Sequence, residues 1–115
     1  MIRRVVPDLQ ADDPTGGRAF YEDVLGMELA MDMGWVAVYA DPANPTAQVL
    51  VMSADASAPV APDLSVEVDD VDAAHAAAVE RGDEIVHPLT DEPWGVRRFF
   101  VRSPEGAVVN IVSHR

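Results

Sequence analysis

The sequence predicts an α+β fold of two tandem βαβββ modules, which form a cupped mixed β-sheet with helices on its outer face. The chain has 115 residues, enough for a single domain. An order of strand, helix and three strands can be assigned twice along it. Matching positions recur at similar offsets, since Gly82 lies 56 residues after Gly26 and Ser113 lies 60 residues after Ser53.

The first module is predicted to cover residues 1–53. Its first strand runs from Ile2 to Val6, a short apolar and β-branched segment. A helix is predicted to begin at 12–14, where two aspartates precede a proline, and to end at Gly26. Three more strands are predicted at residues 27–33, 35–40 and 47–52.

A linker rich in Ala, Pro and Ser is predicted at 54–62, and the second module at 63–115. Residues 64–68 alternate apolar and polar side chains, as a half-buried strand does. Asp70 and its neighbour are expected to cap a helix that ends at Gly82. On that helix Val71, Ala74, Ala78 and Val79 are expected to share one side. The remaining strands are predicted at 84–89, 96–102 and 107–113.

Alternation along these strands predicts which side chains face the helix and which face away. Phe99 and Val101 are expected to pack on the helix, together with Val109 and Ile111. The opposite face then carries Asp63, Ser65, Glu67, Arg98, Phe100, Arg102, Val108, Asn110 and Val112. This mixture of polar and aromatic groups on a twisted sheet predicts a ligand cavity.

Composition excludes several classes of protein. Hydrophobic residues make up 49% and charged residues 24%, which is typical of a globular domain. The net charge of -12 opposes binding to nucleic acids and anionic membranes, and it attracts cations. There is no cysteine, no apolar run long enough to span a bilayer and no apolar signal segment, so a cytoplasmic location is expected.

The motifs resemble those of the vicinal oxygen chelate superfamily, the group of glyoxalases, bleomycin resistance proteins and extradiol dioxygenases. Residues 20–26 read FYEDVLG, which resembles the family motif FYxxxLG. Residues 66–74 resemble the family's strand-to-helix junction, and residues 92–106 resemble its closing hairpin. The resemblance covers nearly the whole chain and implies a single vicinal-oxygen-chelate domain over residues 1–115, usually a homodimer.

The same resemblance implies four metal-ligand positions, where the family's enzymes carry His, Glu or Gln. They fall here on Val6, Leu50, Asp63 and Asn110. Two of these are hydrocarbon side chains, and catalytic divalent metals typically need about three protein ligands. We therefore expect no metal and no cofactor, as in the metal-free bleomycin-resistance-like branch of the family.

The candidate ligand-binding residues lie on the predicted cavity face or beside its turns. Trp35 and Trp94 each neighbour a glycine and offer flat faces for stacking and for cations. Core packing or a dimer contact is the structural alternative for both. The complete set is Val6, Trp35, Met52, Asp63, Trp94, Arg98, Phe100 and Asn110.

Charged and imidazole groups leave alternatives open. Arg98 either anchors an anionic group of a ligand or forms an ion pair, with Asp63 or Glu67 as its expected partner. His87 could act as a general base, whereas His114 is expected to be mobile or on the surface. His75 is expected to be a partly buried structural residue.

The function expected from these features is small-molecule binding by a homodimer, in which an aromatic or cationic antibiotic-like ligand is sequestered without metal. The alternative is a metal-independent isomerase, cyclase or lyase acting on an aromatic or carbonyl compound. In that case Asp63, Glu67 or His87 would move the proton. The binding hypothesis also predicts that Trp94→Ala and Phe100→Ala weaken binding without unfolding the protein.

Overall fold

Eight strands and two helices give the chain an α+β fold in the computed structural model, which describes residues 1–114. The elements are β1 (Ile2–Gln10), α1 (Arg18–Asp23), β2 (Glu28–Asp32), β3 (Val36–Asp41), β4 (Asn44–Met52), β5 (Leu64–Val68), α2 (Val71–Arg81), β6 (Ile85–Glu92), β7 (Val96–Arg102) and β8 (Val108–His114). The chain forms two compact units. The N-terminal unit is Val6–Ala61, and the C-terminal unit combines Met1–Val5 with the chain from Pro62 onward.

The N-terminal unit holds a mixed sheet with the strand order β2-β3-β4-β1. β1 and β4 are parallel, whereas β4, β3 and β2 pair antiparallel. Ala37, Tyr39 and Val51 form its buried core beneath α1, and Tyr21 is the helix residue that packs there. The Tyr21 and Tyr39 rings stack with centroids 4.4 Å apart.

The first helix begins later than predicted. Asp13 holds a turn, because its carboxylate accepts from the backbone N–H and the hydroxyl of Thr15, and its carbonyl accepts from Gly16. Two successive glycines, Gly16 and Gly17, also disfavour helix at this point. Pro14 consequently lies in the turn, and its carbonyl accepts a hydrogen bond of 3.0 Å from the Tyr39 hydroxyl.

The C-terminal unit holds a second mixed sheet with the strand order β5-β8-β7-β6. β5 and β8 are parallel, and the other two pairs are antiparallel. β6 is the outer strand; it contains Pro88, and its pairing with β7 shifts register twice, on either side of His87.

Helix α2 covers one face of this second sheet. Its N-cap is Asp70, whose side chain accepts from Ala73 N at 3.0 Å. Its C-cap is Gly82, with a left-handed φ of 78° that residues with a Cβ rarely adopt. These are the predicted ends. Val79 is exposed, so only part of the predicted apolar side is buried.

The core beneath α2 contains the residues that alternation predicts for that face. Val71 and Ala78 of the helix pack with Phe99 and Val101 of β7. Val109 and Ile111 of β8 complete the cluster, which confirms the predicted facing of these two strands. His75 lies edge-on to Phe99 and is partly buried, as predicted. Among the residues that the structure describes, no helix is long and apolar enough to cross a membrane.

Candidate functional site

The candidate site lies on the face of the C-terminal sheet that is turned away from α2. One row of cross-strand partners runs over this face from β6 to β5. His87 pairs with Phe100, Phe100 with Asn110, and Asn110 with Ser65. Arg98 lies two residues before Phe100 on the same face, opposite Val112. A fully buried ring is thus flanked by an imidazole, a guanidinium and an amide.

A buried ion pair crosses the hairpin between β6 and β7. Both Nε and Nη2 of Arg98 donate to Oε2 of Glu92, at 2.9 Å and 2.7 Å. The two side chains are only 6% and 4% exposed, so solvent screens the attraction between them only weakly. The prediction that Asp63 or Glu67 is the partner of Arg98 was wrong. Both carboxylates make other contacts, and Glu92 binds the guanidinium.

The same guanidinium lies between two aromatic rings. Cζ of Arg98 is 5.0 Å from the ring centroid of Trp94 and 4.9 Å from that of Phe100. These are cation–π distances. Phe100 is completely buried, whereas Trp94 is 48% exposed and can offer surface to a ligand.

The turn between β6 and β7 positions Trp94. Gly95 has a φ of 92°, in the left-handed region, and its N–H donates to the Glu92 carbonyl at 3.2 Å. A side chain at position 95 would strain this turn. The glycine therefore helps to hold the indole above Arg98.

His87 is a second buried group near the ion pair. Its ring centroid is 5.1 Å from that of Phe100, and its Nε2 is 3.9 Å from Oε2 of Glu92. No partner of the His87 imidazole was predicted from the sequence. The hairpin could have indicated Glu92 as the partner of Arg98. Pairing of Glu92 with Val96 places Glu92 diagonally opposite Arg98 on the same face of the sheet.

The amide of Asn110 is 8% exposed, and its Nδ2 donates to Oγ of Ser65 at 3.0 Å. Within residues 1–114, its Oδ1 is buried and accepts no hydrogen bond. Such an orphaned acceptor is uncommon, because buried polar atoms are nearly always satisfied.

Asp63 has a backbone role. Its Oδ2 accepts from the N–H of Val108 at 2.9 Å, and its own N–H donates to the Val108 carbonyl at 2.8 Å. These contacts extend the pairing of β5 with β8 by one residue. The carboxylate is thus occupied by the fold.

Glu67 is engaged by two basic groups at once. Its Oε2 accepts from Nη2 of Arg4 at 3.1 Å and contacts Nδ1 of His114. His114 belongs to β8, and its side chain is 57% exposed, which agrees with the predicted surface position. Glu67 ties the start of β1 and the end of β8 to β5.

The other predicted residues lie in the N-terminal unit. Val6 and Met52 are buried, and Met52 pairs with Val36 on β3. Trp35 is 38% exposed, and its carbonyl accepts from the Ser53 N–H at 2.9 Å. Predicted residues that gather on the C-terminal sheet are Trp94, Arg98, Phe100 and Asn110.

At the four positions that the family resemblance implies for metal ligands, the donor chemistry does not suit a divalent cation. Val6 and Leu50 have no ligand atom, the Asp63 carboxylate binds the backbone, and Asn110 offers a neutral amide oxygen. Across residues 1–114, no group of three or more His, Asp or Glu is placed to hold a metal.

Comparison with known proteins identifies relatives at the level of family and fold. The model of the Glyoxalase/Bleomycin resistance protein/Dioxygenase superfamily matches residues 2–111. None of the curated proteins matches the chain.

Solved structures share the fold at low sequence identity. One from Legionella pneumophila, described as an NAD-dependent benzaldehyde dehydrogenase, has a TM-score of 0.75 at 16% identity, covering 96% of this chain and 99% of that one. A glyoxalase/bleomycin resistance protein/dioxygenase superfamily member from Vibrio splendidus 12B01 has 0.70 at 19%, covering 98% and 99%. Methylmalonyl-CoA epimerase from Mycobacterium tuberculosis has 0.69 at 21%, covering 99% and 87%.

Proposed function

Because the chain belongs to the Glyoxalase/Bleomycin resistance protein/Dioxygenase superfamily, we propose that it is a metal-free binding protein for an aromatic or cationic antibiotic-like ligand. The observation that carries this proposal is the stack of Trp94, Arg98 and Phe100. The buried members hold the indole in place, while its exposed part is available for a ligand ring. An aromatic side chain held in a fixed position can bind a ligand ring by stacking, and this contact needs no metal.

Charge supports the same ligand class. Glu92 neutralises Arg98 within the stack, so the arginine does not demand an anionic ligand. The net charge of -12 favours the approach of cations. We further propose the metal-free, bleomycin-resistance-like branch of the family, a pair of βαβββ modules at 1–53 and 63–115, and a homodimer.

The test begins with Trp35→Phe, which leaves Trp94 as the sole tryptophan of the chain. A bleomycin-type glycopeptide and a planar polyketide drug are titrated while indole fluorescence is followed. We expect quenching with a dissociation constant of about a micromolar, or roughly 8 kcal/mol. Unchanged fluorescence with both drugs would place the ligand away from Trp94.

Calorimetry then separates the role of Trp94 from its use as a reporter. Trp94→Ala is expected to weaken binding roughly tenfold, since stacking contributes about 1 kcal/mol or more. Trp35→Ala is the matched control and should retain the affinity. Equal affinities of wild type and Trp94→Ala would remove the central support of the proposal. Phe100→Ala is unsuitable, because the burial of this ring predicts a loss of about 3–5 kcal/mol in stability.

The second candidate is a metal-independent isomerase, cyclase or lyase. The observation that favours it is the buried imidazole of His87. Its Nε2 is 3.9 Å from Oε2 of Glu92, and its ring lies beside the ring of Phe100. An isomerase would use one such group to take a proton from carbon and return it to a neighbouring carbon. Asp63 and Glu67 suit that role less, because each carboxylate is engaged by the fold.

Proton NMR in D2O separates the two candidates. A ligand recovered unchanged, with no deuterium at carbon, supports binding alone. Deuterium incorporation that disappears in His87→Gln supports proton transfer by His87.

A further inference from the structure

The orphaned amide oxygen of Asn110 carries information about the ligand. A buried acceptor without a donor destabilises the folded state, and a protein tolerates it where something else supplies the donor. Asn110 Oδ1 is such an acceptor among the described residues. The side chain lies on the proposed binding face of β8, in the row with Phe100.

Neighbouring strands fix which amide atom lacks a hydrogen-bond partner within the part of the chain that the structure describes. Ser65 on β5 accepts from Nδ2 at 3.0 Å, so the nitrogen is directed at this hydroxyl. On the other side of β8 the cross-strand partner is Phe100, which has no polar side-chain atom. Oδ1 is therefore an oriented acceptor beside a flat apolar ring.

The nearby charges are balanced. Glu92 Oε2 binds two nitrogens of Arg98, and the guanidinium lies over the Phe100 ring. A carboxylate brought to Oδ1 would place two acceptors together, and the arginine charge is already compensated. An N–H donor would instead satisfy Oδ1, and a positive charge would strengthen that hydrogen bond.

We infer that the ligand donates a hydrogen bond to Asn110 Oδ1 from a planar N–H group, which is neutral or cationic, as in an aromatic amide or an amidinium. This inference rests on the proposed function. Carboxylates of the same shape are rejected. A position at which the family resemblance implies a metal-binding glutamate thus serves as a direct acceptor for an organic ligand.

Three probes of nearly equal shape test the inference: benzamidinium, benzamide and benzoate. Each is titrated to about 10 mM into ¹⁵N-labelled protein, a range that detects a dissociation constant near a millimolar. The chain has only two asparagines, Asn44 and Asn110, so their side-chain amide signals can be assigned by substitution. We expect benzamidinium and benzamide to shift the Asn110 signal and to bind at least tenfold more tightly than benzoate.

Variants assign the preference to the amide. Asn110→Leu removes the acceptor while conserving the size of the side chain, and it should abolish the discrimination among the three probes. Asn110→Asp keeps an acceptor and adds a charge, so benzamidinium should gain affinity relative to benzamide. Asn44→Leu is the matched control; Asn44 bonds to Thr46 in the N-terminal unit, and its loss should leave the preference intact.

The outcomes distinguish this inference from the function on which it rests. Equal affinities, or tighter binding of benzoate, overturn the donor inference and leave ligand binding in place. If no probe perturbs any resonance of β7 or β8, the proposed binding face itself is wrong. A donor preference that survives in Asn110→Leu assigns recognition to another residue and also overturns the inference.

Discussion

Glu92, the last residue of β6, binds Arg98 of β7 through a single carboxylate oxygen, with Nη2 at 2.7 Å and Nε at 2.9 Å. The Pro93–Gly95 turn lies between them in sequence. This pair couples the closure of the hairpin to the position of the aromatic stack, because Arg98 is also the cation between Trp94 and Phe100.

Glu92→Gln is expected to lower the free energy of unfolding by about 3–5 kcal/mol, since it leaves the Arg98 charge buried without this carboxylate. Urea unfolding measures the loss. Glu84→Gln is the matched control, because the Glu84–Arg102 pair at 3.3 Å is exposed and should contribute less than about 1 kcal/mol. Equal losses in the two variants would contradict the burial argument. Replacement of the whole pair, as in Glu92→Leu with Arg98→Met, should recover much of the stability.

Phe99→Ala is expected to reduce stability by about 3–5 kcal/mol, because it opens a cavity in the core under α2. The comparison variant is Phe20→Ala in the N-terminal unit, whose ring is 55% exposed. That change removes the edge contact with Tyr21 and should cost roughly 1 kcal/mol. Guanidinium unfolding of both proteins measures the difference; similar midpoints would argue against the described core.

Asp70→Ala should destabilise α2 by about 1 kcal/mol, because the Ala73 N–H loses its capping acceptor. Asp70→Asn retains a capping oxygen and should be close to wild type. Thermal unfolding followed by circular dichroism distinguishes the two. A full loss in Asp70→Asn would mean that charge rather than capping matters at this helix end.

The buried phenol of Tyr39 is expected to make the free energy of unfolding depend on pH in the alkaline range. Burial, with a smaller contribution from Tyr21, raises the pKa of the Tyr39 phenol above 10.0. The folded state therefore holds this proton more tightly than the unfolded state does. The resulting stabilisation is complete below pH 10 and is lost as pH rises above that value.

The check compares wild type with Tyr39→Phe in urea from about pH 8 to about pH 11. At the lower pH the variant should be less stable by about 1 kcal/mol, since the hydrogen bond to Pro14 is absent. The difference should shrink as pH rises above 10. A constant difference over the whole range would show that Tyr39 does not titrate differently on folding.

Strand periodicity was enough to predict which way β7 and β8 face. Phe99 and Ile111 are in the core with α2, and β5 and β7 have their predicted bounds. Period-two alternation is a local property, so it can be read from a short segment. The same holds for the helix ends at Asp70 and Gly82, where the capping chemistry is local.

Contacts between strands were harder to predict. Glu92 was missed as the partner of Arg98 because the predicted strand ended at Leu89, short of the observed end of β6. The Asp63 carboxylate was treated as a ligand candidate, although pairing with Val108 engages it. Both depend on register, which sequence alone fixes only where the turn geometry is known. In the N-terminal unit, the late start of α1 came from a turn around Asp13 that competes with helix.

The irregular outer strand β6 also affects how the protein behaves at high concentration. Pro88 removes one backbone donor from β6, and the two register shifts interrupt the regular ladder that another strand would need for pairing. Copies of the chain therefore cannot readily add to this edge to grow into fibrils. Concentrated samples should therefore resist strand addition at this edge at any ionic strength. The protection comes from backbone geometry, which salt does not screen, rather than from surface charge.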